Sequence, residues 1–402
     1  MKKSILLATS AFFAFGATAA NAVDVDMYGQ VNKGIFAFDN GDDVNVNFVD
    51  NDRSSTRFGV RGSQSLANGL TASVLFEGEL QSNPSNLVSG GEEINGEGST
   101  STFTERHTRV GLAGNWGAVF LGKTSTATDG ITEIDMAGAG DVMGSGIDRI
   151  GGGTVIQGNG AGNTLSIGGT ANIEYANLYN NFDGIGHGAL TNLLSGTAGG
   201  NNHNDRDGMI RYDSPIFNGF QGRIATSQGG TVDGAVLYNG KIDAYEVKAG
   251  LGYAALSTNT TPSPNDKVDS TIAGSATVGH NSGLAGTVAY GQAEIENESA
   301  VVDNPYFYYV KLGYTWDQFE VAGDYGFSEL QLDAANAAVN DGVTNTTTGN
   351  VDVQTSSFGL AGQYNVGNGV SLGALYRYIE PEIDTLELEE QSFYGVNMRV
   401  KF

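Results

Sequence analysis

The chain has 402 residues with 45 Asp and Glu against 20 Lys and Arg, a formal charge of −25, and no Cys. Such an acidic chain lacks the positive surface that nucleic-acid binding requires, and without Cys neither disulfides nor thiol chemistry can contribute. Sixty Gly, 17 Tyr and 19 Phe with only six Pro indicate many strands and turns rather than a disordered chain.

The first predicted element is a secretory signal peptide over residues 1–22. Two lysines precede an apolar run over residues 5–20, and Ala20-Asn21-Ala22 is an A-x-A cleavage site. Cleavage there would leave residues 23–402, and the loss of the two lysines would change the formal charge from −25 to −27. No other stretch approaches the roughly 18 to 20 apolar residues of a membrane helix. The sequence therefore predicts an exported protein.

Apolar and polar residues alternate in sixteen segments of residues 23–402, as they do along strands whose two faces meet different surroundings. In segment 370–379, for example, Leu372 and Ala374 share one face, and Ser371 and Gly373 share the other. The segments are 25–38, 55–64, 70–80, 104–114, 117–123, 206–213, 219–228, 233–241, 244–255, 269–279, 284–295, 305–314, 319–328, 353–364, 370–379 and 391–402.

The connections between these segments alternate between short turns and longer loops, and aromatic residues concentrate near the segment ends. Tilted strands of about 9 to 11 residues match the thickness of a bilayer. Because no strand edge can stay unpaired in hydrocarbon, such a sheet must close. The predicted fold is all-β: a transmembrane antiparallel β-barrel of 16 strands in a single domain, residues 23–402.

Several motifs, taken in order, resemble those of the trimeric general porins of Gram-negative outer membranes. They are Met27-Tyr28-Gly29-Gln30-Val31, Ser55 to Gly62, Arg109-Val110-Gly111-Leu112, Ile210 to Phe220, and the terminal Phe402. The resemblance implies an outer-membrane homotrimer in contact with lipids and lipopolysaccharide, with long external loops and a third loop folded into the pore. It also implies that Phe402 belongs to the signal read by the barrel assembly machinery.

In such porins, loop acids face arginines on the barrel wall across the narrowest part of the pore. Strand parity places Arg57, Arg61, Arg109 and Arg211 on the lumen side, because their apolar neighbours face outward. The matching third loop here is residues 124–205, which is unusually long. The resemblance carries the constriction role to its acids Glu133, Asp135, Asp141 and Asp148.

Three questions remain open at this level. If residues 173–179 paired with 164–168 as spanning strands, the barrel would have eighteen strands instead of sixteen. Lys33 lies on the outward parity with Val31 and Ile35, which indicates a subunit interface or a local shift of parity. The carboxylate-rich loops are interpreted as solvated surface rather than calcium sites, because their acids lack an ordered ligand spacing.

The sequence contains no catalytic motif, and neither a cofactor nor a metal site is predicted. The leading functional interpretation is passive diffusion of ions and small hydrophilic solutes through a water-filled lumen, with a preference for cations that follows from the negative charge. A substrate-specific channel on the same barrel is one alternative. A structural or adhesive barrel plugged by the third loop is another.

Overall fold

The computed structural model describes residues 23–88, 102–158, 166–167, 173, 178–179, 206–227, 230–256, 267–296, 303–333, 339–340, 350–383 and 386–402. The strands are β1 (Asp24–Asp39), β2 (Val44–Asp50), β3 (Arg57–Ser65), β4 (Thr71–Gln81), β5 (Thr102–Gly114), β6 (Gly117–Ser125), β7 (Ser166–Ile167), β8 (Arg206–Asp213), β9 (Phe220–Ser227), β10 (Val232–Ile242), β11 (Tyr245–Ala255), β12 (Lys267–His280), β13 (Leu284–Glu296), β14 (Tyr306–Trp316), β15 (Phe319–Asp333), β16 (Val339–Asn340), β17 (Asn350–Gly367), β18 (Val370–Ile383) and β19 (Gln391–Lys401). Short 3-10 helices form at η1 (Asp52–Ser54) and η2 (Ile147–Arg149). In the part of the chain described, no helix is long and apolar enough to cross a bilayer.

Seventeen of the strands form one antiparallel sheet that closes on itself. The first strand pairs with the last, from Gln30 opposite Lys401 to Asp39 opposite Ser392. Strands β2 and β3 lie one after the other along β1 and occupy a single position, because β2 pairs with its second half and β3 with its first half. The barrel therefore has sixteen strand positions, and the strand count predicted from the sequence is confirmed.

The structure adds one strand to those predicted for the barrel and decides between the sixteen-strand and eighteen-strand barrels. Residues 44–50, which lie between the predicted segments 25–38 and 55–64, form β2, in which Val44, Val46 and Phe48 alternate with Asn. The eighteen-strand alternative is not formed, because the sheet closes with sixteen strand positions. Of the residues it involved, Ser166 and Ile167 pair with Asn340 and Val339, and 164, 165, 168 and 174–177 lie outside the described residues. Two-residue pairing of this kind joins two loops and does not span a bilayer.

The outer surface of the barrel is apolar, as strand parity predicts. Leu251, Leu312 and Met398 are each more than half exposed, and they belong to a band of exposed apolar side chains that surrounds the sheet. An apolar surface of this extent is unfavourable in water and is stable when it faces lipid. At one end, the tight turns use Asp317 and Asn368 with positive φ, a conformation that Asn and Asp tolerate.

A second apolar region lies inside the barrel, where a porin-like wall would be expected to be wet. It forms between the residues that follow β6, here called the inner loop (126–158), and the inward faces of β10, β12 to β15, β17 to β19 and β1. Its buried members include Ile131, Met143, Ile147 and Ile156 of the inner loop, and Phe36, Phe38, Phe307, Leu375, Ile379 and Phe393 of the wall. The inner loop is therefore packed onto one side of the lumen.

Candidate pore lining

Strand parity places two of the predicted arginines on the lumen wall. In β3, Phe58 is exposed on the outer face, so that Arg57 and Arg61 on the opposite parity face inward. Arg61 pairs with Asp26 of β1 at an Nη2 to Oδ2 distance of 2.5 Å and lies 5.5 Å from the ring centroid of Tyr28. Both charged side chains are more than half exposed, as expected for a wet wall.

A β-bulge adds an arginine that parity alone could not predict. Glu77 of β4 pairs with His107, whereas Gly78 pairs with Glu105, so Arg106 is an extra residue in β5. A bulge of this kind re-aims side chains. As a result Arg106 and His107, although adjacent in sequence, both reach the carboxylate of Glu77, at 2.7 Å and 3.9 Å.

The charges around this bulge are balanced. Arg106 Nε donates to Glu77 at 2.7 Å and Arg106 Nη1 donates to Glu79 at 2.6 Å. The Tyr28 hydroxyl donates to Glu77 at 2.7 Å, and Arg57 Nε lies 3.9 Å from the same carboxylate. We call Arg57, Arg106, Glu77 and Glu79 the balanced cluster, since two guanidinium groups face two carboxylates.

Further along the wall, three guanidinium groups lie near one carboxylate, which pairs with two of them. Arg211 binds Asp213 through two hydrogen bonds of 2.7 and 2.8 Å, and Arg223 Nε lies 3.7 Å from Asp213 Oδ2. Arg109 stacks on Phe120 with its guanidinium carbon 4.0 Å from the ring centroid, and Arg211 lies 5.8 Å from that ring. We call Arg109, Arg211 and Arg223 the arginine triad. Arg223 was missed in the sequence analysis, although its outward neighbour Ile224 gave the parity signal.

Two of the predicted constriction acids face cations other than the four predicted arginines. Glu133 pairs with Arg53 of η1 at 2.8 Å. Asp135 pairs with Lys311 of β14 at 2.6 Å and accepts a hydrogen bond from Thr287. Burial would raise the pKa of Asp135, but Lys311 outweighs burial and holds this pKa below its ordinary value.

The other two predicted acids are buried within the inner loop itself. Asp141 forms an ion pair with Arg399 and accepts a hydrogen bond from Ser371, and Asp148 is buried next to Arg149, which lies 3.7 Å from Asp52. The ion-pair partners described for Glu133, Asp135 and Asp141 are thus Arg53, Lys311 and Arg399, whereas the pore role predicted for these acids and for Arg57, Arg61, Arg109 and Arg211 stays a prediction. The physical reason for these partners is the apolar packing that holds the inner loop against the opposite side of the barrel.

One inner-loop acid does reach the basic wall. Asp129 Oδ2 lies 3.5 Å from Arg206 Nη2 at the start of β8. In the same region Arg211 Nη1 donates to the carbonyl oxygens of Ser125 and Thr126, at 3.0 and 3.2 Å, where the inner loop leaves β6. The base of the inner loop is thus fixed next to the arginine triad.

The two sides of the lumen differ in exposure. We call the inward faces of β3 to β6, β8 and β9 the open wall, and those of β12 to β15, β17 and β18 the covered wall. On the open wall, the side chains of Arg57 and Arg223 are 27% and 26% exposed. On the covered wall, those of Lys311 and Arg377 are 0% and 2% exposed. These charged side chains of the open wall are therefore accessible to water and solutes, whereas Lys311 and Arg377 of the covered wall are not.

A closed antiparallel barrel with an apolar exterior and a charged interior defines the class of transmembrane β-barrels. The sequence model of the Gram-negative porin family matches residues 7–384. The chain belongs to this family, and it is an outer-membrane channel protein. Among curated proteins, none matches this chain significantly.

Several solved structures share the fold. An anion-selective porin from Comamonas acidovorans is 17% identical with a TM-score of 0.56, over 95% of this chain and 100% of that one. The outer membrane channel DcaP of Acinetobacter baumannii is 11% identical with a TM-score of 0.59, over 96% and 99%. The trimer form of OmpT from Vibrio cholerae is 14% identical with a TM-score of 0.55, over 95% and 100%. At these identities the likeness concerns the fold.

Proposed function

We propose that the chain forms a water-filled channel through which ions and small hydrophilic solutes diffuse down their gradients. The observation that carries this proposal is the open wall, where charged side chains line the inside of a lipid-facing barrel and keep part of their surface accessible to water. The exposed fraction of these side chains, at least a quarter for Arg57, Arg61 and Arg223, supports a water-filled space beside them rather than a dry core. The wall charges would then sort the passing ions.

The proposal includes a cation preference at low ionic strength. It is supported by the formal charge of −25 and by exposed acids such as Asp42 and Asp43 in the first external loop. These loop charges act over about 30 Å at 0.01 M salt but over only about 10 Å at 0.1 M. The basic open wall lies next to the path of the ions. As salt rises, its influence on ion selectivity therefore grows relative to that of the distant loop charges. The Comamonas acidovorans porin, described as anion-selective, is compatible with such a wall.

Planar-bilayer recording of the purified protein tests both parts. We expect discrete conductance steps, with a reversal potential that indicates cation preference in a potassium chloride gradient near 0.01 M and a weaker preference near 1 M. Absence of conductance steps would contradict the channel, and anion preference at both salt concentrations would contradict the role of the loops.

We propose further that the protein is exported by a cleaved signal peptide. The barrel assembly machinery then inserts it through a signal that includes Phe402. In the membrane it forms a homotrimer in contact with lipids and lipopolysaccharide. The backbone of Phe402 exchanges two hydrogen bonds of 3.0 Å with Gly29, which supports a role in closing the barrel. Lys33 faces outward and pairs with Asp50 at 2.5 Å, which supports a protein-covered patch there. The trimer form of OmpT shares this fold. Native mass spectrometry would reveal the oligomer and the mature N-terminus.

A plugged barrel is the second candidate, and the apolar core inside the lumen favours it. The two candidates differ in one measurement, since a plugged barrel would insert into bilayers without conductance. Insertion can be followed independently by protection of the barrel from protease in lipid vesicles.

A further inference from the structure

The arginine triad carries more positive charge than its surroundings balance. Among the residues that the structure describes, Asp213 is the carboxylate within ion-pair distance of Arg211 and Arg223, and no carboxylate lies within that distance of Arg109. The Nε of Arg109 is also buried without a hydrogen-bond partner among these residues. Asp213 therefore pairs with two of the three guanidinium groups, the third has no carboxylate, and one buried donor is unsatisfied.

The ring of Phe120 offsets only part of this cost. A cation above an aromatic face is stabilised, but the ring offers no oxygen to the N–H groups of Arg109. A buried donor without an acceptor is unfavourable, and an oxyanion would supply acceptors and negative charge together. Guanidinium forks match the paired oxygens of carboxylate, sulfate and phosphate groups.

The balanced cluster provides the contrast within the same wall. There Arg106 is held by Glu77 and Glu79 at 2.7 and 2.6 Å, so its guanidinium is already occupied by protein oxygens. Arg223 in the triad is about one quarter exposed; its nearest carboxylate lies at 3.7 Å, and its Nε donates one long hydrogen bond, of 3.3 Å, to Gln221. Arg109 and Arg223 are therefore short of acceptors, and Arg223 is accessible from the lumen, whereas Arg211 is held by Asp213 and by the inner-loop base.

We propose that Arg109, Arg211 and Arg223 form a binding station for small oxyanions on the open wall, and that such anions pause there during passage. The inference rests on the proposed channel function and names the solute class of that pore. The station lies beside the base of the inner loop, since Arg211 also donates to Ser125 and Thr126. The flux of these anions saturates because an occupied station cannot bind a second anion. Binding must also be weak enough to allow release.

The test combines two measurements on purified protein, with sulfate as the probe. In planar bilayers, the conductance in potassium sulfate is expected to saturate with concentration, whereas that in potassium chloride rises more nearly in proportion. Calorimetric titration of the detergent-solubilised protein with sulfate is expected to show binding. Arg109→Gln and Arg223→Gln should each weaken sulfate binding about tenfold, the loss expected for a hydrogen bond to a charged group.

Two further variants separate binding from charge alone. Arg109→Lys keeps the charge but loses the fork, and it should recover only part of the affinity. Arg57→Gln removes the same charge from the balanced cluster and should change sulfate affinity less than Arg109→Gln. Circular dichroism of each variant establishes that the barrel is folded.

The outcomes distinguish the station from the channel. Conductance steps without calorimetric binding, or equal effects of Arg57→Gln and Arg109→Gln, would overturn the station and leave the channel intact. Calorimetric binding that depends on Arg109, in a protein without conductance, would support the station and overturn the proposed function.

Discussion

The open wall and the covered wall belong to the same sheet, but their charges have different partners. On the covered wall, Lys311 is fully buried and paired with Asp135 of the inner loop. On the open wall, Arg61 is 64% exposed and paired with its strand neighbour Asp26. The acids expected to create a field across the pore are thus used to hold the inner loop, and the open wall is left with an excess of arginine. The position of the inner loop decides which charges a solute meets.

The largest effect on the free energy of unfolding is expected when a buried charge that holds the inner loop is removed. Lys311→Met removes the partner of Asp135 and a donor to the Met143 carbonyl, 3.3 Å away. Breaking a buried pair by removing one partner costs about 3–5 kcal/mol. We expect the denaturant midpoint for unfolding in lipid vesicles to fall accordingly. The double variant Lys311→Met with Asp135→Leu should recover much of that loss, and an equal loss in both variants would contradict the pairing.

A smaller loss of stability is expected from a substitution at the place where the inner loop contacts the backbone of the wall. A Cβ at Gly313 would lie 1.6 Å from the Ala137 carbonyl oxygen, so Gly313→Ala must displace the inner loop. Overpacking of this kind costs about 1–3 kcal/mol. Gly323→Ala in β15 is the matched control, because its methyl would meet Leu360 and Gly359 at the ordinary distances of 3.4 and 3.6 Å. Equal unfolding midpoints for the two variants would show that the inner loop is not tightly packed at this place.

Much of the barrel followed from the sequence because parity is a local property. The sixteen strand positions and the inward direction of Arg57, Arg61 and Arg211 needed only the alternation of neighbours along a strand. Arg106 could not be placed in this way, because the bulge that turns it inward depends on its pairing with β4.

The path of the inner loop depends on packing between distant segments, so the partners of its acids could not be predicted from spacing. One signal was present in the sequence, however. Leu375 and Ile379 lie on the parity of β18 that also carries Ser371 and Arg377, where a wet wall would have polar residues. Apolar residues on the inward parity are typical of a wall that another part of the chain covers.

Acid is expected to weaken the ion pair between Asp135 and Lys311 reversibly. The folded-state pKa of Asp135 is depressed by Lys311, so its contribution to stability is present above the unfolded value of about 3.9 and is lost as pH falls through the lower folded value. Below about pH 4 we expect increased current noise, as the inner loop loses this contact. Asp135→Asn should show that noise already at neutral pH. A noise level independent of pH in both proteins would mean that this ion pair does not control the inner loop.

The smallest effect on stability is expected at the exposed pair of the open wall. Arg61 and Asp26 lie opposite each other on neighbouring strands, and solvent screens their interaction. Because such exposed pairs contribute about 0–1 kcal/mol, Arg61→Gln should leave the unfolding midpoint nearly unchanged. The same substitution removes a lumen charge and should shift the reversal potential toward cations. A large loss of stability in Arg61→Gln, comparable to that in Lys311→Met, would remove the distinction between the two walls, since it would mean that charges on both walls are structural.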